Sequence, residues 1–178
     1  MKTWIWITVF VILIGASIGL MFSVYNMFDN KNAQKAVSSS KQDANKVDEF
    51  KEQTKKIGGV TYDLNLSQTP EEREVIDVMH HMTHQKVKAD EKWGAKPMIS
   101  ETVNEIYDII SKSNFARKED LLEIAERWKN GDFSQVDSDH NYFWSLQNGT
   151  IGKAYGIMNE AEERRFILNN FGEDFLPD

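Results

Sequence analysis

From Thr3 to Phe28 the chain runs without a single charged side chain: T-W-I-W-I-T-V-F-V-I-L-I-G-A-S-I-G-L-M-F-S-V-Y-N-M-F. As a helix rising 1.5 Å per residue it would reach about 39 Å, enough to cross a hydrocarbon core of about 30 Å with some tilt. Trp4 and Trp6 sit near one end and Tyr25 near the other, where amphipathic rings favour the membrane interfaces. A cleaved signal peptide would use Lys2 as its charged region, Trp4 to Ile14 as its apolar region and Ala16 at the cut. Apolar character continues well past Ala16, as far as Phe28, which favours an uncleaved anchor. The expected first unit is therefore a transmembrane signal-anchor over residues 1–28. Within it Gly15 and Gly19 form G-x-x-x-G, a spacing that lets two helices approach closely and offers a homodimer face.

Charge divides the remainder. Residues 1–56 carry 8 Lys against 5 Asp and Glu, net +3, whereas residues 57–178 carry 13 Lys and Arg against 23 Asp and Glu, net −10. Residues 29–56 hold only scattered apolar positions (Val37, Val47, Phe50), too few to offset the entropy of ordering them, so a flexible or frayed-helical basic stalk is expected there. Such a stalk suits anionic headgroups. The acidic domain, residues 57–178, lacks the basic footprint that nucleic-acid binding needs. The chain has no Cys, which excludes disulfides, thiolate metal sites and Cys nucleophiles.

The acidic domain reads as helices. Val60 to Leu66 alternates at period two and leaves room for one short extended strand before the first helix. Thr69-Pro70-Glu71-Glu72 carries a helix start, followed by the stripe Val75, Met79, Met82. Further starts lie at Ser100, Lys118, Asp137 and Asn159, and the third and fifth helices end before Gly131 and Gly172. The expected class is all-α: one N-terminal transmembrane helix, then a small five-helix bundle or orthogonal array.

Two stretches bear chemistry. In D-V-M-H-H-M-T-H, helical geometry gathers Asp77, His80, His81 and His84 on the side away from Met79. His80 and His84, at i and i+4, have the spacing that brings two imidazoles to one zinc ion. His81 stands where the zinc peptidase motif H-E-x-x-H has its Glu, so that general base is missing. A third ligand is open among Asp137, Asp139 and His140, if the helices meet. The same histidines also fit an ordinary polar helix face, or a contact that changes charge near pH 6.5. In the second stretch, Asp137 to Gly156, Asp139 and His140 with Ser145 lack any nucleophile-elbow sequence, and Asn148 to Lys153 lacks phosphate-loop spacing. No catalytic residue is assigned. The aromatics Trp93, Trp128, Tyr142, Phe143, Trp144 and Tyr155 read as core, with a partner groove as the second reading.

The amino-terminal span, the run M-T-H-Q-K-V-K-A-D-E-K-W-G (Met82 to Gly94), and D-H-N-Y-F-W with N-G-T-I-G-K-A (Asp139 to Ala154) resemble a family of small, uncharacterised membrane-anchored proteins of Bacillus-like Gram-positive bacteria, a domain of unknown function. The resemblance covers about residues 60–175 and brings no activity with it. It implies a helical domain exposed outside the plasma membrane, although counting lysines on the two sides of the span favours the opposite orientation. It draws attention to His84, Gln85, Lys86, Trp93, His140, Trp144, Gly149 and Gly152.

The leading expectation is a single-pass membrane protein whose extracytoplasmic domain is a non-enzymatic module with no cofactor, binding a protein or envelope partner. Candidate partner contacts are Asp77, His81, His84, Gln85, Lys86, Trp93 and Trp144. The alternative is a zinc-type sensor or hydrolase using His80, His84 and His140.

Overall fold

The computed structural model describes residues 42–177. The expected span Thr3 to Phe28, with Gly15 and Gly19, lies outside them. Among the described residues no helix is long and apolar enough to cross a membrane. The chain divides into two units, residues 1–49 and 50–178. Of the first, residues 42–49 are helical and exposed. Helical backbone continues to residue 54 (α1, residues 42–54), and Gln53 and Thr54 are buried in the larger unit.

The larger unit is mostly helical: α2 (Glu72–Thr83), α3 (Ser100–Lys112), α4 (Lys118–Lys129), α5 (Val136–Leu146) and α6 (Glu160–Asn170), with a short 3-10 turn at Glu173–Phe175. Purely helical it is not. Strand β1 (Val87–Ala89) pairs antiparallel with β2 (Ala154–Ile157), Val87 opposite Ile157 and Ala89 opposite Ala154, with a bulge at Lys88/Ala89. Strands this short give period-two alternation no room to stand out. The alternating segment at Val60 to Leu66 instead makes a single parallel bridge, Val60 to Ala95.

The five expected helices form, with local shifts at their starts. At α2 the cap is Glu71 rather than Thr69, because the Glu74 carboxylate reaches back to the Glu71 N–H at 2.7 Å. At α3 the Thr102 hydroxyl accepts the Ile99 N–H at 3.1 Å, which puts the cap one residue before Ser100. Asn159 caps α6 as expected: its side chain accepts the Glu162 N–H at 3.0 Å, and the Glu162 carboxylate accepts the Asn159 N–H at 2.8 Å.

Helix α2 is central. Its stripe Val75, Met79 and Met82 enters a core with Val103, Ile106 and Ile110 of α3, Leu121, Ala125 and Trp128 of α4, and Val136 and Phe143 of α5. A smaller cluster under α6 gathers Ala95, Met158, Phe166, Ile167 and Phe171.

The two strands are too short to hold themselves, and side-chain amides complete them. Gln53 accepts the Ala89 N–H at 3.1 Å and donates to the Ala89 carbonyl at 3.0 Å. Across the ladder Asn141 accepts the Ala154 N–H at 2.8 Å and donates to its carbonyl at 3.0 Å. Because Ala89 and Ala154 are paired, the row Gln53–Ala89–Ala154–Asn141 acts as a sheet extended by one side chain on each side. Both outward-facing edges are thereby satisfied, which buried backbone requires. Replacing Gln53 by Leu should leave a buried N–H and C=O unpaired and destabilise the domain by about 1–3 kcal/mol, measured by urea unfolding. Unchanged stability would mean that the end of α1 does not belong to the fold.

Candidate metal centre

All four histidines of the chain gather in one place. His80 and His81 lie in the last turn of α2 and His84 is its C-cap. Helix α5 packs on α2 and delivers His140 from far downstream in the chain. The ring centroids of His80 and His140 are 4.6 Å apart, those of His80 and His84 4.9 Å, and those of His84 and His140 5.3 Å. One ring nitrogen from each of His80, His84 and His140 lies within 4.8 Å of the other two. The side of α2 opposite the Met79 stripe is therefore partly covered by α5 and by the loop ending at Gly94, while Asp77 on the same side stays exposed. His84 and His140 are 4% and 0% exposed, and His80 is half-buried.

Hydrogen bonds fix how the rings present themselves. His84 Nδ1 meets the Gly94 carbonyl at 2.6 Å, His140 Nδ1 meets Asn141 Oδ1 at 3.1 Å, and His80 Nδ1 meets Gln147 Oε1 at 2.5 Å. Each partner is a carbonyl-type oxygen that can only accept, so each Nδ1 carries the proton. The Asn141 amide is held in that sense by its clamp on Ala154. With the protons so placed, the three Nε2 atoms carry lone pairs, and His80 Nε2 lies 3.1 Å from His140 Nε2, a separation at which a proton on either one would make a hydrogen bond. Two imidazole nitrogens bound to one tetrahedral zinc at about 2.0–2.1 Å would lie roughly 3.3 Å apart.

Burial keeps the cluster neutral. Loss of water pushes all four imidazoles below the usual histidine range, His84 well below it and His140 to about 4, and neighbouring rings add to the effect at His80, His84 and His140. At His81 the Asp77 carboxylate, 3.5 Å away, opposes it.

The loop from His84 to Gly94 is tied at both ends. Gly94 holds φ at +78°, and a Cβ there would stand 2.8 Å from His81 Nε2, so only glycine lets this backbone carbonyl reach His84. Lys92 donates to the carbonyls of Gln53 and Val87 at 3.1 Å each and His84 at 3.4 Å, and burial pushes its ammonium down to about 7.

Other expected site residues lie elsewhere. Asp139 does not reach His140: its carboxylate takes Arg127 Nη2 at 2.6 Å and Trp128 Nε1 at 2.9 Å. Asp137 accepts the Ser138 N–H, and Ser145 is exposed. Gln85 is 3% exposed and is used inside, accepting the Met98 N–H at 2.9 Å, while Lys86 pairs with Glu163 at 2.6 Å. With His84 also buried, these three side chains make their contacts within the fold. Trp144 gives its N–H to the Ile151 carbonyl at 2.8 Å and lies against Gly149. Trp93, 73% exposed over Gly58, remains at the surface. Asn141, Gln147 and Gly94 support the site without being among the expected site residues. Only adjacency to His140 and closure of a motif hint at Asn141 and Gly94, and nothing in the sequence points to Gln147.

A family model described as a family of unknown function (DUF6241) matches residues 79–168, half of the chain, and the chain belongs to that family. The matched segment contains His80, His81, His84 and His140. No curated protein and no solved structure matches the chain.

Neutral burial has a sign. His140 titrates near 4 folded against about 6.5 unfolded, so between those values the unfolded chain binds more protons. The metal-free protein should hold its full His140 contribution above about pH 6.5. It should lose up to about 3 kcal/mol of it as pH falls through that window towards 4. Urea midpoints measured from pH 7.5 to 4 for wild type and His140→Gln check this. Parallel curves for the two would contradict it.

Proposed function

We propose that this domain binds a transition-metal ion of the zinc type through His80, His84 and His140, and that the segment Thr3 to Phe28 holds it at the outer face of a plasma membrane. The observation carrying the metal reading is the convergence of three neutral imidazoles, with a ring nitrogen of each within 4.8 Å of the others. Imidazole suits zinc, copper, nickel and iron, whereas magnesium and calcium favour carboxylate and carbonyl oxygens. The shell around the ligands supports the same reading: a ligating histidine usually donates its other ring N–H to a carbonyl or carboxylate, and all three do so here. Loading would close the widest nitrogen separation by roughly 1.5 Å towards tetrahedral spacing.

Three protein ligands leave a tetrahedral ion one position short. Structural zinc sites are filled by four protein groups, and sites that exchange ligands keep one open. Among the described residues no Asp or Glu joins the three histidines. The fourth position falls to solvent or to a group from a partner, on the His80 side, where Gln147 is exposed. This is a binding and sensing site in preference to a structural staple. The anchor reading rests on the uncharged length of Thr3 to Phe28 and its terminal aromatics. The partner reading, with Trp93 as its exposed contact, is compatible with metal binding at an open position.

Full-length protein without a histidine tag, purified in detergent, should contain or take up one zinc per chain. His80→Ala and His84→Ala should each weaken binding at least about 100-fold by chelator competition. His80 is half-buried, so its loss should leave the fold intact by circular dichroism. Zinc at background level, or wild-type affinity in both variants, would overturn the reading.

A further inference from the structure

Of the three ligands, His80 is supported differently. The orientations of His84 and His140 depend on the backbone, directly at Gly94 and through the Asn141 clamp at Ala154. His80 depends on a side-chain amide at the surface, and an amide can turn over. Turned, Gln147 would present its NH2 to His80 Nδ1, the proton would move to Nε2, and His80 would no longer be a ligand.

In the metal-free protein the turned state has something in its favour. With the proton on Nε2, His80 would donate to His140 Nε2 across the 3.1 Å gap, where otherwise two lone pairs oppose each other. Some group must hold the amide against that pull. Asp77 is placed to do it: Gln147 Nε2 donates to Asp77 Oδ1 at 3.3 Å. A carboxylate only accepts, so it selects the NH2 end of the amide and directs Oε1 to His80. Resting on the metal reading above, we propose that Asp77 is a positioning residue that acts through Gln147 to keep the His80 proton on Nδ1 and its Nε2 free for the metal. The chain Asp77–Gln147–His80 spans α2, the end of α5 and α2 again, so it also ties the two ligand-bearing helices together. It makes His80, the outermost ligand, the one whose availability can be withdrawn without unfolding the site. Asp77 is shared with His81 Nδ1 at 3.5 Å, and any cation that claims the carboxylate would compete with the relay.

The test uses the full chain in detergent with Asp77→Asn and Asp77→Glu. Asparagine offers a donor as well as an acceptor and no longer selects the amide's orientation. Long-range 15N–1H correlation on metal-free protein reads the His80 tautomer directly. Wild type and Asp77→Glu should carry the proton on Nδ1, while Asp77→Asn should shift it to Nε2. Zinc affinity should fall about tenfold in Asp77→Asn and recover in Asp77→Glu, with thermal midpoints unchanged within a few degrees. An unshifted tautomer together with wild-type affinity in Asp77→Asn would overturn the proposal. If wild type bound no zinc, the function proposed above would fall, and the tautomer measurement would still decide for or against the relay.

Discussion

The structure turns on the burial of histidines that stay neutral. Moving an imidazolium out of water is costly, and the first effect of burial at each of the four rings is to disfavour its charged form. Packing α5 on α2 therefore requires rings without charge, and neutral rings must place one proton each. The surrounding oxygens of Gly94, Asn141 and Gln147 take those protons on Nδ1. What remains is a concentration of lone pairs, unfavourable in itself, which a cation of the right preference relieves. Fold and candidate function are thus two consequences of one packing decision between two helices.

Around that contact the domain is held by side-chain amides in places where larger folds use backbone ladders. Gln53 and Asn141 flank a two-stranded sheet, Gln85 clamps Met98, and Asn170 accepts the Ile57 N–H at 2.9 Å while donating to the Lys55 carbonyl at 3.2 Å. They join residues from 13 to about 115 positions apart and satisfy buried or part-buried backbone groups. Asn141 does double service, since its Oδ1 also holds His140. The geometry of the candidate site is therefore continuous with the edge of the sheet.

Much of the helical layout is legible in the chain. Stripes such as Val75, Met79, Met82 and the Asn159–Glu162 cap are local patterns, and local patterns survive folding. The pairing of His80 with His84 is readable from spacing alone. His140 stands in the sequence as one of three possible third ligands, because a contact between groups so distant along the chain depends on helix packing that no spacing encodes. The same limit explains Asp139. It neighbours His140 in sequence, yet on α5 consecutive side chains diverge by about 100°, and Asp139 turns to Arg127 and Trp128 of α4. Gln85 and Lys86 look like surface residues by type and are spent on interior bonds. The strands are too brief to show a period.

X-ray absorption at the zinc edge of the loaded, tag-free protein reads the ligand set of the three-histidine site. Three imidazole nitrogens at about 2.0–2.1 Å with their characteristic outer-shell scattering are expected, with one further light atom. A shell dominated by carboxylate oxygens, or one with fewer than three imidazoles, would contradict it.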